Sequence, residues 1–438
     1  MQRSYLYLLV TDYPYGIGEP FLENELFILK EYYERIYIII PEIHLVDKSK
    51  IRFKIPPGVE IIELETRLRF KNKLAALLKW WHPSLRLELR NFYKSIDKNF
   101  NFFYFKLISG FVAMGIAFAN ELRSLVKRNG HNPDEVIFYS YWFTFATLGV
   151  TYLKEENLQY QAITRIHGWD CFYDRNPGNY LPLRPWAIKL LDKICPVSEQ
   201  GKKQLMEKNP DADPSKIDVH YLGTKLIFSA NNHTSFNPIQ LRIVSISFVH
   251  HVKRINLIID ALETIEDIEI DWTHIGSWSP QTVYLKESAA KKLALKQNIH
   301  YRFTGEYSQT QVQQYLHEHN ADFLICTSES EGIPVSMMEA MGYGIPILST
   351  EVGGIPEIVK DGENGYLMPS DSKAKEIGLY IKRLASLGET EYLCLSENAK
   401  RTYLEKFQAI VNYESFAKQQ LYCTSPVSKG KLVKQLNL

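Results

Sequence analysis

Two glutamates, Glu331 and Glu339, stand with seven residues between them in the stretch ADFLICTSESEGIPVSMMEAMGYGIPILST, residues 321–350. Phe323–Cys326 is a short apolar run of buried-strand type, and 327–333 is small, polar and acidic, which is loop composition. Pro334 suits the first position of a helix, where its missing N–H costs nothing. Val335 to Tyr343 continues with Met337, Met338 and Met341 at helical spacing, Gly344 ends it, and Ile345–Leu348 is the next strand. The pattern is a βαβ unit whose loop lies at the carboxyl end of a parallel strand. Glu331 is expected in that loop and Glu339 about a turn and a half into the helix. Carboxylates accept hydrogen bonds from vicinal diols, so sugar and ribose hydroxyls are the expected ligands, and the helix start favours a diphosphate beside them. The plainer alternative is a solvated loop glutamate and an exposed helix glutamate.

Other residues fall where α/β sheets present ligands. Ala162–Ile166 reads as a strand leading to His167, Gly168, Trp169 and Asp170, and a histidine there can hydrogen-bond a sugar hydroxyl or stabilise charge at a reacting centre. Leu241 to Phe248 reads as a strand before VHHVKR and the helix 255–262, which places Lys253 to meet a diphosphate as the leaving group gains charge. The first strand, Tyr5–Val10, runs into TDYPYGIGEP and a helix from Pro20 to about Tyr33, with Leu22, Leu26, Leu29 and Tyr33 as its buried stripe. Gly16 and Gly18 in that loop let backbone approach a phosphate or sugar, although G-x-G is often only a turn. Gly353 and Gly354 open a similar loop-to-helix step.

The segment SESEGIPVSMMEAMGYGIPILSTEVGGIPEIV resembles the signature of the family 4 retaining glycosyltransferases, which have the GT-B fold. That resemblance implies an α/β protein of two Rossmann-like domains facing each other across a cleft, with a C-terminal helix crossing back to the first domain. It implies that Glu331 contacts the transferred sugar and Glu339 the nucleotide ribose, with Gly332, Ile333, Pro334 and Val335 near sugar and phosphate. TRIHGWD is similar to the family's histidine motif, which puts His167 over the donor sugar and Asp170 beside it. Lys253 matches the diphosphate lysine. One departure is Phe248, which stands where members commonly carry an arginine, so Arg254 or His250 and His251 are the candidates for a second positive charge. No metal or other cofactor is expected from the family.

Composition sets the frame. The chain has 438 residues, 45% hydrophobic, 23% charged, with net charge +1, which fits a globular protein of two domains and excludes a strongly basic nucleic-acid binder. Five scattered cysteines without a C-x-x-C pair argue against a disulfide framework or zinc site and fit a reducing cytosol. The expected organisation is a first domain, 1–223, with a basic and aromatic helical insertion near 67–128, then a linker, 224–240. A second, nucleotide-sugar domain follows at 241–405, with a crossover helix at 406–422 and a tail at 423–438. Within 67–106 ten Lys and Arg oppose two acids, a local charge of +8, interleaved with ten aromatic side chains. That mixture suits anionic lipid head groups, so an anionic membrane surface is an expected partner, with the protein cytoplasmic and peripheral on the inner face of the cell membrane. Leu107–Ala119 is apolar but reads as too short to span. No nucleic-acid motif accompanies the basic run.

The expected function is retaining transfer of a sugar from a nucleotide-sugar donor to a hydroxyl of a saccharide or lipid-linked acceptor, in surface polysaccharide or glycolipid synthesis. The alternatives are a sugar-nucleotide epimerase or phosphorylase on the same fold, or a catalytically silent nucleotide-sugar-binding subunit.

Overall fold

The computed structural model describes residues 4–16, 18–41, 51–66, 70–95, 99–229, 236–237, 239–318 and 321–421. The expected tail, 423–438, and residues 230–235 and 238 of the expected linker lie outside these residues. The chain divides into two compact units. The first comprises 1–195, 206–218 and 413–438, and the second 196–205 and 219–412. Residues 219–223 therefore pack with the second unit, and no strand forms at Val219–Leu222; Ile217 and Thr224 make only isolated bridges there.

In the first unit β1 (Tyr5–Leu9), α1 (Leu22–Leu29), β2 (Arg35–Pro41) and β3 (Val59–Leu64) lead to three helices, α2 (Phe70–Leu78), α3 (Pro83–Ser95) and α4 (Phe102–Arg128). Then come β4 (Val136–Ser140), α5 (Phe145–Glu156), β5 (Gln161–Ile166), α6 (Arg184–Leu190) and β6 (Lys193–Pro196). The sheet order is β3-β2-β1-β4-β5-β6, so the direction of winding reverses between β1 and β4. Side chains in loops at the carboxyl ends of those strands are the ones a ligand meets. The expected stripe of α1 is buried at Leu22, Leu26, Leu29 and Tyr33, but the helix ends at Leu29 rather than near Tyr33.

The apolar run at 107–119 belongs to a longer helix. Asn101 caps α4, its Oδ1 accepting from the Phe103 amide at 3.0 Å, and the helix continues for 27 residues. By length and composition alone it could cross a membrane, yet 44% of its most apolar window is buried inside the protein. Glycines permit that packing: a Cβ on Gly115 would lie 2.9 Å from Leu148, and one on Gly149 would lie 2.9 Å from Phe118. Thus α4 and α5 touch almost backbone to backbone.

The second unit repeats the same winding. It contains α7 (Glu199–Lys208) in part, then β7 (Gln240–Ile246), α8 (Ile255–Glu263), β8 (Glu269–Ile275), α9 (Tyr284–Leu293), β9 (Ile299–Gly305), α10 (Gln309–His317), β10 (Phe323–Cys326), α11 (Val335–Gly342), β11 (Ile347–Thr350) and β12 (Gly365–Met368). Its order, β12-β11-β10-β7-β8-β9, places the reversal between β7 and β10. All the paired strands recorded in this sheet are parallel, and their apolar residues join the helices in one core centred on Ile243, Trp272, Phe323 and Leu348. The last helix, Ala409–Phe416, and the turn 417–421 end in the first unit, where Phe416, Ala417 and Leu421 join the core beneath β1 and β2.

Candidate functional site

In the second unit the loops after β7 and β10 bring Lys253 and Glu331 together as an ion pair, 78 residues apart in sequence. Glu331 is 8% exposed and also accepts from Ser328 Oγ at 2.7 Å. The backbone around the pair is tied down. Thr327 Oγ1 donates to the carbonyls of Lys253 and Arg254 at 3.2 and 3.0 Å, and Glu329 N–H to Val252 O at 2.8 Å. Arg254 has φ +48°, and its guanidinium donates to the carbonyls of Thr327, Ser328 and Ser370 at 2.6–3.0 Å. That guanidinium braces the loop, its charge met by carbonyls and by no carboxylate among the described residues. Phe248 is half exposed, and His250 and His251 are exposed with ring centroids 3.9 Å apart.

A small cavity of about 30 Å³ remains at this point, lined by Lys253, Glu331, Pro334, Ser336 and Met337. Helix α11 points its amino end into it. Pro334 is the N-cap residue rather than the first helical one, with ψ 129°, and no side chain caps the end. The first-turn amides of Val335 and Ser336 are therefore open to an anion. Gly332 and Ile333 are held from behind by the glycine pair. A Cβ on Gly353, at φ +54°, would fall 1.8 Å from Glu331 O, and one on Gly354 2.9 Å from Gly332 O. These two glycines serve close packing of the Glu331 loop.

Glu339, one turn further along α11, is 5% exposed. Its Oε1 accepts from Thr224 Oγ1, Gln309 Nε2 and Gln313 Nε2 at 3.3, 3.0 and 3.1 Å. All three donors are neutral, and burial pushes its carboxyl above the usual range. Gln313 is itself fixed, donating to Lys225 O at 2.9 Å and accepting from Tyr343 Oη at 2.8 Å. Neither glutamate is the solvated residue of the plainer sequence alternative.

In the first unit His167 follows β5 and is 7% exposed, with no hydrogen-bond partner at Nδ1 or Nε2 among the described residues. Its ring lies 4.2 Å from Trp142 and 4.9 Å from Tyr141, centroid to centroid. Burial, then the Arg165 charge, holds its pKa well below the ordinary histidine value, so the imidazole is neutral. A neutral imidazole has one donor and one acceptor nitrogen, and burial without partners for them is unusual.

Asp170 stands near it in another role than the expected one. Its Oδ1 accepts from the His167 amide at 2.8 Å and its Oδ2 from the Phe143 amide at 2.9 Å, while Arg184 donates to Phe143 O and Asp170 O at 2.7 and 2.8 Å. The carboxylate is 1% exposed, and burial raises its pKa to about 6. It positions the histidine loop against the 141–144 loop and offers no free oxygen to a donor sugar. Gly16 is buried, where a Cβ would overlap the Asp12 carboxylate, and Gly18 is exposed.

Sequence reasoning missed Glu19. Its carboxylate accepts from three successive amides, Thr11, Asp12 and Tyr13, at 2.9–3.1 Å, and from Trp142 Nε1 at 2.6 Å. It orders the glycine loop and orients the indole that packs on His167. Burial raises its pKa to about 7. The signal was the acid directly after the glycines and before Pro20. Arg165 was missed too: it is fully buried, donates to Tyr139 Oη at 2.8 Å and Glu25 at 3.1 Å, and lies 4.2 Å over the Phe416 ring.

Comparison with known proteins agrees with this geometry. Residues 232–402 match the family model described as glycosyl transferases group 1. The putative colanic acid biosynthesis glycosyltransferase WcaL of Salmonella typhimurium is 25% identical over 240 residues, which are 52% of this chain and 57% of that protein, so the chain matches little more than half the length of that relative. Among solved structures, HepE of Anabaena in complex with UDP and glucose superposes with TM-score 0.62 at 15% identity, covering 95% of this chain and 99% of that one. The sucrose-phosphate synthase of Thermosynechococcus elongatus gives TM-score 0.67 at 15% identity, covering 97% and 100%. At these identities the likeness is one of fold. The chain has the GT-B fold, with two Rossmann-like α/β domains.

Proposed function

We propose that the protein is a retaining glycosyltransferase that moves a sugar from a nucleotide-sugar donor to a hydroxyl of a saccharide or lipid-linked acceptor in surface polysaccharide synthesis. The observation that carries this reading is the Lys253–Glu331 ion pair set against the uncapped amino end of α11, with Glu339 on the same helix. A diphosphate entering there meets Lys253 and the Val335 and Ser336 amides, and Glu331, released from the lysine, turns to the hydroxyls of the transferred sugar. Glu339 holds the ribose diol. As the sugar–phosphate bond breaks, negative charge grows on the diphosphate, and the lysine and helix end stabilise it in the transition state more than in the ground state.

His167 joins as a neutral hydrogen-bonding group on the transferred sugar, while Asp170 and Glu19 fix its loop. Lys253 and the helix end supply the positive charge that a divalent cation supplies in other nucleotide-sugar sites, so the reaction is proposed to need no metal. The match of 232–402 to glycosyl transferases group 1 and the colanic acid relative support the reading. The test is a panel of nucleotide sugars with acceptor mixtures, scored for released nucleotide, with and without EDTA. Acceptor-dependent release of one nucleotide, with the anomeric configuration kept, is expected. Interconversion of the donor without nucleotide release would make the protein an epimerase, and binding without turnover a silent subunit.

A further inference from the structure

Helices α2–α4 carry a face that glycosyl transfer does not use. On α2 and the turn that follows it, Lys73, Leu74, Leu77, Leu78 and Trp81 recur at the spacing of one helical side, and the four apolar ones are 47–79% exposed. At the start of α4, Phe102 is 77% exposed and Phe103 47%. These are large apolar groups left in water on two helices that are tied to each other, and exposed apolar surface of this kind marks an interaction site. Their mounting is rigid. Phe105 stacks on Trp80 at 4.9 Å and on Phe102 at 6.2 Å, and Trp80 Nε1 donates to Ser109 Oγ at 3.0 Å, which ties the end of α2 to α4.

Charge selects the occupant. Lys73 beside Leu74 on α2 and Lys106 beside Phe103 on α4 are exposed, and neither is ion-paired among the described residues; Lys79, over the Tyr152 ring, and Arg90, in a cavity with Pro185 and Asp211, face elsewhere. The one acid described between 70 and 106 is Glu88, which is 1% exposed and spends its carboxylate on Tyr180 and Leu183. Two copies of this face would set cation against cation. Leucine side chains have nothing to offer a nucleic-acid base or phosphate. An anionic bilayer satisfies both halves, because its acyl region takes leucines and phenylalanines and its head groups take the lysines.

From Phe103 an open apolar groove of about 440 Å³ runs along α4, past Lys106, Leu107, Gly110 and Met114, to Phe145. Phe145 opens α5 three residues after Trp142, whose ring packs on His167. We propose that this face docks on an anionic lipid bilayer and that the groove along α4 receives a lipid chain, its head group directed toward the loop that orients His167. Docking stands independently of the donor chemistry, so the two fail separately.

The experiment is flotation of the full chain with vesicles of phosphatidylcholine alone or mixed with phosphatidylglycerol. The protein is expected to float with the mixed vesicles and not with phosphatidylcholine alone, and to be released by high salt. Lys73→Ala with Lys106→Ala is expected to weaken binding about thirtyfold, since each surface lysine contributes ~1 kcal/mol and a decade is 1.36 kcal/mol. Phe102→Ser with Phe103→Ser is expected to abolish it in a chain that stays folded by circular dichroism, with a lowered melting temperature because Phe102 stacks on Phe105 and Phe103 lies against Gly178. Equal flotation with both vesicle types, failure to float with either, undiminished binding by both double variants, or a stable dimer that hides Phe102 would each overturn the proposal.

Discussion

Replacing Glu331 with alanine separates gripping a substrate from holding a fold. In the free protein the carboxylate makes one ion pair, with a lysine whose side chain is 28% exposed, and one hydrogen bond from Ser328 at 2.7 Å. Water can reach the orphaned lysine, so the folding cost is small, about 1 kcal/mol, or roughly 2–4 °C in melting temperature for a domain of this size. The catalytic cost is larger. Two charge-assisted hydrogen bonds to sugar hydroxyls contribute ~1.5–3 kcal/mol each, so their loss in the transition state removes about 3–6 kcal/mol, or roughly 10²- to 10⁴-fold in kcat/KM. The assay is nucleotide release with the donor that the panel identifies, run beside thermal unfolding. A Glu331→Ala protein that melts within a few degrees of wild type and keeps kcat/KM within about threefold would refute the assignment. Glu331→Gln, which preserves shape and the Ser328 contact, should fall between the two.

Glu339→Gln keeps the volume of a side chain already surrounded by neutral donors, so folding should be little changed. The charge on the ribose diol is lost, and calorimetry should show nucleoside diphosphate binding weakened by about 10- to 100-fold; unchanged affinity removes Glu339 from the site. Glu88, 1% exposed, has a pKa raised to about 7 by burial. A carboxyl raised on folding gives stability that is complete below the unfolded value and lost as pH rises through the folded one, here between about 4.5 and 7. Wild type should therefore lose about 3 kcal/mol across that window relative to Glu88→Gln, and parallel urea-unfolding profiles of the two proteins would contradict it. Arg165→Met strands the Glu25 carboxylate in a site where both side chains are 0% exposed and should cost about 3–5 kcal/mol, while Arg165→Met with Glu25→Leu recovers most of it. A single variant within about 1 kcal/mol of wild type would show that the pair is not what holds that core.

The region 323–350 was legible because its period changes at each boundary. An apolar strand gives way to small polar residues, then to methionines at helical spacing, then to a second strand. What surrounds Glu339 was not, since its partners lie 115, 30 and 26 residues away and only the tertiary fold assembles them. Strand β3, VEIIEL, escaped because it is an edge strand with two of its glutamates in the ladder, and β12 because four residues after a turn carry no period. His167 could be read from its place after a strand. Asp170 looked like a ligand from the same spacing, yet a short acid three residues on is also the right reach to accept from the backbone of its own loop, and that use prevailed. The bracing by Arg254 was hidden too, for its positive φ and its three carbonyl acceptors were invisible in VHHVKR.

Charge near the two candidate residues is held differently, and the difference bears on the chemistry. In the first unit Glu25 Oε1 accepts from Arg165 and Tyr139, Asp170 accepts from two amides, and Glu19 from three amides and an indole. No acid is left to draw the imidazole toward its charged form, and Arg165 opposes it. His167 is therefore neutral, and under the proposed function it serves the sugar as a hydrogen-bond donor and acceptor rather than as an acid. In the second unit Lys253 and Glu331 are paired with each other at a cavity of about 30 Å³, too small for a sugar diphosphate. Binding there must exchange one electrostatic partner for another: the diphosphate replaces Glu331 on Lys253, and sugar hydroxyls replace Lys253 on Glu331. An ion pair exchanged for two new contacts loses little on desolvation, because both groups leave one polar partner for another. Under the proposed function the Lys253–Glu331 pair is thus a preformed site for an activated sugar, kept closed by its own charges until the ligand supplies both substitutes.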